Sequence, residues 1–269
     1  MIVDVPGALR AGALGAAVAG VAYWRRALTL DGAVAAGMVG GIVYARGGLA
    51  AAPSLLAFFG SSSALSRLAE RRKASSPLAQ AKGARRDAWQ VLANGGGAAL
   101  CFGLGLRQAG LGALAAAAAD TWGTEVGMLA TRQPRLITTL AAVPAGSSGG
   151  ITPEGLAAGL GGALLVGLAY RLLGGGRRAP LVAAVAGAGG SLVDSLLGAT
   201  VQALYFCRVC QVATEAHQHR PCGRAADLVR GTRWMTNDTV NGLATLAGAL
   251  IAHILPKMPD AAGHVRGGS

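Results

Sequence analysis

The sequence has few charged residues, since only 13% of its 269 residues are Asp, Glu, Lys or Arg. Soluble domains usually carry about a quarter, so this composition argues against a soluble globular domain. Aromatic residues are also scarce, at 4%. The chain instead has 43 glycines and many alanine-rich apolar segments, which suit close packing of helices in lipid.

Acidic residues are half as numerous as basic residues, with 12 Asp and Glu against 24 Lys and Arg. A net charge of +12 is typical of proteins that bind nucleic acid, but here the basic residues lie between apolar segments. A basic membrane surface that meets anionic lipid and phosphate is the simpler interpretation, with no nucleic acid as a partner. The start, Met1 to Gly7, has no basic stretch, so we expect no cleavable signal peptide.

Cysteine occurs only four times, and three of the four lie in one basic stretch, which is not a secreted disulfide pattern. Cys207 and Cys210 form a Cys-x-x-Cys pair, and His217, His219 and Cys222 follow. This pattern predicts a four-coordinate structural zinc site, with His219 favoured over His217 as the fourth ligand. Reduced thiols beside solvated histidines are the alternative.

Long polar regions are missing as well, because eight apolar segments fill most of the chain and several reach the ~20 residues that span a bilayer. The sequence therefore predicts an all-α fold, a polytopic transmembrane helical bundle of about seven or eight membrane segments in a single domain, residues 1–269. The segments are approximately 8–24, 29–45, 49–65, 88–106, 109–130, 154–173, 180–206 and 235–255. The cytoplasmic loops are expected at 66–87, 131–152 and 207–234, with a small zinc knuckle at 207–223.

The basic residues are divided unequally between the two sets of loops. If the segments alternate, the loops after the first, third, fifth and seventh segments share one side and hold 16 basic residues, against 8 elsewhere. The positive-inside rule places the first set in the cytoplasm. We therefore expect a multi-pass protein of the cell membrane with both termini outside.

Carboxylates occur inside two of the apolar segments. Asp120 and Glu125 follow the apolar run 111–119, and Asp194 lies within the seventh segment. A charged side chain at the bilayer centre costs roughly 3 kcal/mol on insertion scales, so such residues usually have a function. Two alternatives to a catalytic role stay open. The carboxylates could make contacts between helices, or they could belong to a proton- or cation-coupled transporter.

Other polar side chains share helix faces with these carboxylates or with one another at spacings of four. Oxygen ligands of this kind suit Mg²⁺, which takes one or two carboxylates together with phosphate oxygens. For Asn237 and Asp238, near a helix start, capping is the alternative. The sets are Arg86, Gln90 and Asn94; Asp120 and Thr124; Thr121 and Glu125; Asp194, Gly198 and Gln202; Asn237 and Asn241.

A loop rich in glycine and serine, residues 143–154, precedes the sixth segment. Thr152 and Pro153 predict an N-cap and first helical residue, so the loop leads into a helix N-terminus, which is a natural anion site. It lacks the Gly-Lys-Ser/Thr of a Walker A loop, and a plain connecting turn is the alternative.

Five of these stretches occur in an order that resembles the integral-membrane phytyl-phosphate kinase family, whose prokaryotic members were long labelled a domain of unknown function. The resemblance covers about residues 31–250. It implies CTP-dependent phosphorylation of a prenyl monophosphate to the diphosphate. In type, the motifs are also similar to those of CTP-dependent polyprenol kinases and lipid cytidylyltransferases. The stretches are Gln90–Gly95, Ala119–Gly127, Gly146–Thr152, Asp194–Ala199 and Asn237–Asn241.

The resemblance also implies roles for individual residues. Asp120, Asp194 and Asp238 are expected to hold Mg²⁺ and the triphosphate, with Glu125 in support. The residues expected to contact nucleotide or lipid phosphate are Lys73, Arg85, Arg86, Gln90, Asn94, Thr121, Thr124, Gly146, Ser147, Ser148, Gly149, Gly150, Ser195, Gln202, Asn237 and Asn241.

Two other functions stay open at this point. A cytidylyltransferase would use the same groups to form a CDP-lipid, and a lipid or anion transporter would carry out no chemistry. The expected partners are CTP or another nucleoside triphosphate, a prenyl-phosphate lipid and the membrane, and a homo-oligomer is also open.

Overall fold

The apolar segments form α-helices over most of their length. The structure, a computed structural model, describes residues 5–73 and 85–258, without the side chains of residues 5, 6, 8 and 70–73. Within this part of the chain the helices are α1 (Val5–Trp24), α2 (Leu30–Lys73), α3 (Ala88–Gly103), α4 (Arg107–Leu129), α5 (Pro153–Leu172), α6 (Ala179–Thr200) and α7 (Asn237–Ile254).

Helix α2 reverses direction at Gly48, which has φ 71° and ψ −160°. A residue without Cβ adopts this backbone readily. A Cβ at Gly40 would lie 4.0 Å from Leu55 Cδ2, whereas in a straight helix residues fifteen apart are separated by about 22 Å. The second and third predicted segments are therefore two antiparallel arms of α2.

The arms of α2 and the other helices alternate in direction along the bundle. Arg67, near the end of α2, donates to the backbone oxygen of Arg25, just before α2 begins. Residues from the connections around 25–29, 85–87, 130–152 and 201–236 line one common cavity. The loops that the charge pattern assigned to one side thus meet at one end of the bundle.

Helix α4 lies at the centre, where it packs against α2, α3, α5, α6 and α7. Its residues from 108 to 119 are all buried. Their side chains are almost all alanine, glycine or leucine, so neighbouring helices approach closely from every side. Because α4 is shielded from lipid by other helices, it can carry Asp120 and Glu125.

Glycines make two of the helix crossings close. A Cβ at Gly155 would lie 2.7 Å from the backbone oxygen of Gly123 on α4, and one at Gly15 would lie 2.6 Å from that of Gly37 on α2. Contacts this short leave no room for a side chain. The many glycines of the sequence therefore do allow close helix packing at these crossings.

Within the described residues, three helices are long and apolar enough to cross a membrane by themselves: Leu30–Ala69 in α2, Pro153–Leu172 and Ala179–Thr200. This is fewer than the seven or eight predicted. Helix α3 has only 16 residues, and α4 carries carboxylates that its central position protects. Large apolar side chains are exposed on the outer faces of several helices, as expected for contact with lipid.

The connections contain β-structure, so the purely α-helical prediction is corrected. The strands are β1 (Arg135–Leu136), β2 (Gly150–Ile151), β3 (Leu204–Cys207), β4 (Val212–Thr214), β5 (Gln218–His219), β6 (Arg224–Ala225) and β7 (Asp227–Arg230). They pair antiparallel as β1-β2, β4-β3-β7 and β5-β6. A long connection must pair its own backbone groups, and short sheets achieve this.

Two predicted boundaries were wrong. The seventh segment was expected to run to residue 206, but α6 ends at Thr200 and residues 204–207 form β3. The basic loop was expected from residue 66, but α2 continues to Lys73. At the first boundary the apolar character continues past the end of α6, because β3 is itself partly buried. At the second boundary α2 continues past the apolar residues into a basic stretch.

Candidate functional site

A cavity of about 930 Å³ opens at the end of the bundle where the four connections meet. It is formed where α4 and α6 end and where α3, α5 and α7 begin. The predicted residues that line it are Arg85, Arg86, Gln90, Asn94, Asp120, Thr121, Thr124, Glu125, Gly146, Ser147, Ser148, Gly149, Gly150, Asp194, Ser195, Gln202, Asn237 and Asn241.

Two predicted residues are not placed in this cavity. Asp238 lies half-buried in the first turn of α7 and is not among the lining residues. Asn237 and Asn241, one turn apart, face the cavity, and successive side chains on a helix point about 100° apart. The side chain of Asp238 therefore leaves the α7 axis in a different direction from those of its neighbours, and its expected place beside the other aspartates stays a prediction. The side chain of Lys73 lies outside the described residues.

Asp194 is held by an amide from the neighbouring helix. With its side-chain amide oriented to satisfy donor and acceptor together, Asn241 donates to Asp194 Oδ1 at 3.1 Å and accepts from Asn237 Nδ2 at 3.3 Å. The N-cap of α7 is Thr236, whose hydroxyl accepts from the backbone of Thr239 at 3.3 Å. Because Thr236 caps the helix, the side chains of the two asparagines can orient groups in the cavity.

Glu125 is buried where α4 meets the second arm of α2. The hydroxyl of Ser66 donates to Glu125 Oε1 at 2.6 Å, and Arg86 donates to Ser63 Oγ at 3.4 Å. Burial lowers the pKa of the Arg86 guanidinium, and the negative charge of Glu125 opposes that shift. Arginine remains protonated in proteins, so the positive charge of Arg86 lies close to the buried carboxylate of Glu125 beside the cavity.

Other predicted residues have structural partners as well as a cavity position. Arg85 donates twice to the backbone oxygen of Leu28, at 3.0 and 2.7 Å. Gln90 completes a capping box with Asp87 at the start of α3. Thr121 donates to the backbone of its own helix. The bonds of Arg85 and Gln90 fix a loop and a helix start beside the cavity, and the bond of Thr121 stays within α4.

The glycine and serine loop packs on the end of α6. Gly149 has φ +80°, and a Cβ there would lie 2.5 Å from Ala199 Cβ. The loop leads through β2 to Thr152, whose hydroxyl accepts from the backbone of Gly155 at 3.0 Å. The predicted N-cap at Thr152 with Pro153 as the first helical residue is confirmed. The N-terminus of α5 borders the cavity, since Thr152, Gly155 and Leu156 line it, and a helix N-terminus favours anions.

Several cavity residues were not predicted from the sequence. Most loop arginines served there only as indicators of topology, and Ser63, Ser66 and Glu215 carry no local signal. Six arginines and four carboxylates line the cavity, so its charge is positive overall. The missed arginines are Arg25, Arg26, Arg67 and Arg220.

The cysteine-rich connection brings four metal-binding groups together. The donor atoms of Cys207, Cys210, His219 and Cys222 all lie within 4.8 Å of one another. Tetrahedral zinc with Zn–S bonds of about 2.3 Å separates neighbouring sulfurs by about 3.8 Å. His217 is absent from this group and packs edge-on against Tyr205, with ring centroids 5.7 Å apart.

The thiols of this group have unequal acidity. Hydrogen bonds, first from the backbone of Cys210, lower the pKa of Cys207. The neighbouring Cys222 side chain and then burial raise the pKa of Cys210 to about 11.

Among the described residues, the cysteine and histidine group is the one set of three or more Cys, His, Asp or Glu side chains whose donor atoms converge to metal-binding distance. The aspartates of the cavity do not form such a set.

Comparison with known proteins identifies the family. The chain matches the family described as Integral membrane protein DUF92 over residues 13–249. Protein PGR of Arabidopsis thaliana is 33% identical over 221 residues, which cover 70% of this chain and 76% of that protein. Uncharacterized membrane protein sll0875 of Synechocystis is 28% identical over 85% of this chain and 82% of its own length. No solved structure matches significantly.

Proposed function

Because the chain belongs to the DUF92 family of integral membrane proteins, we propose that it is a CTP-dependent kinase that converts a prenyl monophosphate to the diphosphate. One observation carries the proposal. A single cavity at the end of the bundle collects two half-buried aspartates, a glycine-rich loop at a helix N-terminus and six arginines. This set of groups suits two phosphorylated substrates that must be brought together against their own repulsion.

The chemical step is transfer of the terminal phosphoryl group. An anionic oxygen of the prenyl phosphate attacks the γ-phosphorus, and the bond from that phosphorus to the β-phosphate oxygen breaks. CDP and prenyl diphosphate leave. Since a phosphate monoester is already an anionic nucleophile, alignment and charge stabilisation provide most of the catalysis.

Asp120 and Asp194 are the cavity carboxylates that would hold Mg²⁺, and the ion would offset charge on the β- and γ-phosphates. The two residues fit this role because they approach from neighbouring helices, and Asn241 orients Asp194. Outer groups of this kind fix the orientation of metal-binding carboxylates. Asp238 is not included in this set, because it is not among the residues that line the cavity.

The prenyl chain has a place beside the cavity. A groove of about 340 Å³ runs between α3 and α7 and is lined by Leu92, Ala93, Gly96, Gly97, Leu100, Thr239, Gly242, Leu243, Thr245 and Leu246. Asn94 and Asn241 line the cavity one residue away from Ala93 and Gly242. A lipid lying in this groove would present its phosphate to the cavity.

The test uses purified protein, γ-labelled CTP, Mg²⁺ and prenyl monophosphates of several lengths. Label is expected in the lipid product, with release of CDP. Formation of pyrophosphate and a CDP-lipid would replace the proposal with cytidylyl transfer. Movement of lipid phosphate across proteoliposomes without nucleotide turnover would replace it with transport.

The proposal also includes a location. The cavity would face the cytoplasm, where CTP is available, in a multi-pass protein of the cell membrane. The excess of basic residues in the connections around the cavity supports this orientation.

A further inference from the structure

The connection between α6 and α7 contains a small sheet whose own apolar core is minimal. Its buried apolar residues are Ala203, Tyr205, Cys207 and Ala226. A core of this size supplies too little hydrophobic stabilisation to hold a stretch of more than thirty residues. Two of its turns carry positive φ, at Gln211 and Gly223, and each lies beside a cysteine.

Four metal-binding side chains converge at those turns. Cys207 closes β3, Cys210 lies in the following turn, and His219 and Cys222 flank the turn between β5 and β6. The sulfurs of Cys207 and Cys222 are 3.6 Å apart, and His219 Nδ1 lies 3.3 Å from Cys222 Sγ. These separations match the edges of a tetrahedron around zinc, about 3.8 Å for two thiolates.

The same connection supplies part of the cavity. Arg220 lies between the ligands His219 and Cys222, and Glu215 lies between β4 and β5; both line the cavity. The hydroxyl of Ser148, in the glycine and serine loop, donates to Glu215. Gln202 Nε2 donates to the same hydroxyl oxygen at 2.9 Å. The connection and the glycine and serine loop are thus joined at one serine.

We infer that Cys207, Cys210, His219 and Cys222 bind one structural zinc ion, and that this ion positions Arg220 and Glu215 over the cavity. The ion takes no part in the reaction, because four protein ligands leave no open coordination position. Arg220 and Glu215 are positioning residues for the glycine and serine loop and for an anionic ligand. Only the effect on CTP turnover rests on the proposed function.

Zinc content is the first measurement. The purified chain is expected to contain one zinc per molecule, and Cys207→Ser/Cys222→Ser none. Cys101→Ser is the matched control, since Cys101 is buried in α3 outside the cluster. His219→Ala should lose zinc while His217→Ala retains it. His219→Cys should also retain it, because four cysteines form an equally good structural site. Zinc in the double serine variant at the wild-type level would overturn the site.

The second measurement keeps the inference testable if the serine variants fold poorly. Zinc is removed from the wild-type protein with a chelator, and trypsin cleavage is followed at the exposed Arg208 and Arg224. Cleavage is expected to become at least tenfold faster and to be restored by added Zn²⁺. Unchanged cleavage after complete zinc removal would refute the positioning role.

The third measurement separates this inference from the proposed function. Chelated protein should show a raised KM for CTP with a smaller change in kcat, and added Zn²⁺ should reverse it. If the protein never turns over CTP but zinc content and trypsin protection behave as expected, the proposed function fails and the zinc site stands. Normal CTP kinetics in fully zinc-free protein would refute the positioning role.

Discussion

At the scale of single residues, Asp120 and Asp194 are the two aspartates that line the cavity. Both are half-buried on helices that pack against each other, α4 and α6. In an apolar bundle such carboxylates are costly unless they are compensated. The arginines around the cavity and the amide of Asn241 provide compensation.

Asp120→Asn removes one charge from the proposed metal site and keeps the shape of the side chain. We expect kcat to fall by about 100-fold or more, on the order of what the loss of one electrostatic group costs in other enzymes. The assay is γ-phosphoryl transfer from CTP. Asp227→Asn is the control, because Asp227 is exposed and pairs with Arg208 away from the cavity; an equal loss in both variants would contradict the assignment.

Asn241→Ala removes the group that orients Asp194. Loss of such outer groups costs about 10–100-fold in metal affinity or activity. We expect a higher Mg²⁺ concentration for half-maximal activity, with partial recovery at saturating Mg²⁺. A loss that does not depend on Mg²⁺ would contradict an orienting role.

At the scale of elements, the helix crossings depend on glycine. A Cβ at Gly112 of α4 would collide with Ala252 and with the backbone oxygen of Gly248 on α7. Neither neighbour has a flexible side chain that could move aside. The central helix therefore tolerates no larger residue at this point.

Gly112→Ala should destabilise the bundle by about 1–3 kcal/mol, the usual cost of overpacking. The measurement is thermal unfolding in detergent. Gly60→Ala is the matched control, since a Cβ at Gly60 meets nothing within 4 Å and alanine favours the helix. A lower unfolding temperature for the control than for Gly112→Ala would disprove the packing argument.

The groove between α3 and α7 gives a second prediction for elements. A Cβ at Gly242 meets nothing within 4 Å, so Gly242→Leu fills the groove without a backbone clash. If the prenyl chain lies there, kcat/KM should fall about tenfold or more for long prenyl phosphates, since each buried methylene is worth about 0.8 kcal/mol. Short prenyl phosphates should be affected little.

Gly20→Leu on α1 is the control for this experiment, because Gly20 also faces open space. Equal loss with long and short substrates, or equal loss in both variants, would place the prenyl chain elsewhere.

At the scale of the whole molecule, all four connections around the cavity lie on one side of the bundle. The positive-inside rule then predicts that this side faces the cytoplasm. Ala142→Cys, in the connection after α4, should react with an impermeant maleimide only in inside-out vesicles. Leu104→Cys, exposed at the opposite end of the bundle, should react only in right-side-out vesicles. The unsubstituted chain gives the background, and reaction with the opposite polarity would invert the topology.

Much of the helical arrangement could be predicted from the sequence, because the apolar segments and the polar residues that separate them are local signals. The reversal at Gly48 agrees with two separate predicted segments. The end of α6 at Thr200 was missed, since the residues after it remain apolar but form β3. Hydropathy does not separate a helix from a short buried strand.

The polar positions on α4 and α6 could also be predicted, because a carboxylate in an apolar run is conspicuous. Glu215 and Arg220 could not, since nothing in a loop sequence indicates which side chains turn towards a distant helix end. Asp238 is the opposite case. The family resemblance implied a metal ligand there, but the lining of the cavity includes its neighbours Asn237 and Asn241 and not Asp238.

By itself, the sequence determined the membrane class, the alternation of segments and the residue types that can hold phosphate or metal, because these follow from composition and local spacing. Only the tertiary structure decided which of those groups meet. Asn241 of α7 meets Asp194 of α6, whereas Asp238 is not among the residues that line the cavity. The fold of a connection of more than thirty residues brought three cysteines and His219 within 4.8 Å, because distances between distant segments depend on packing.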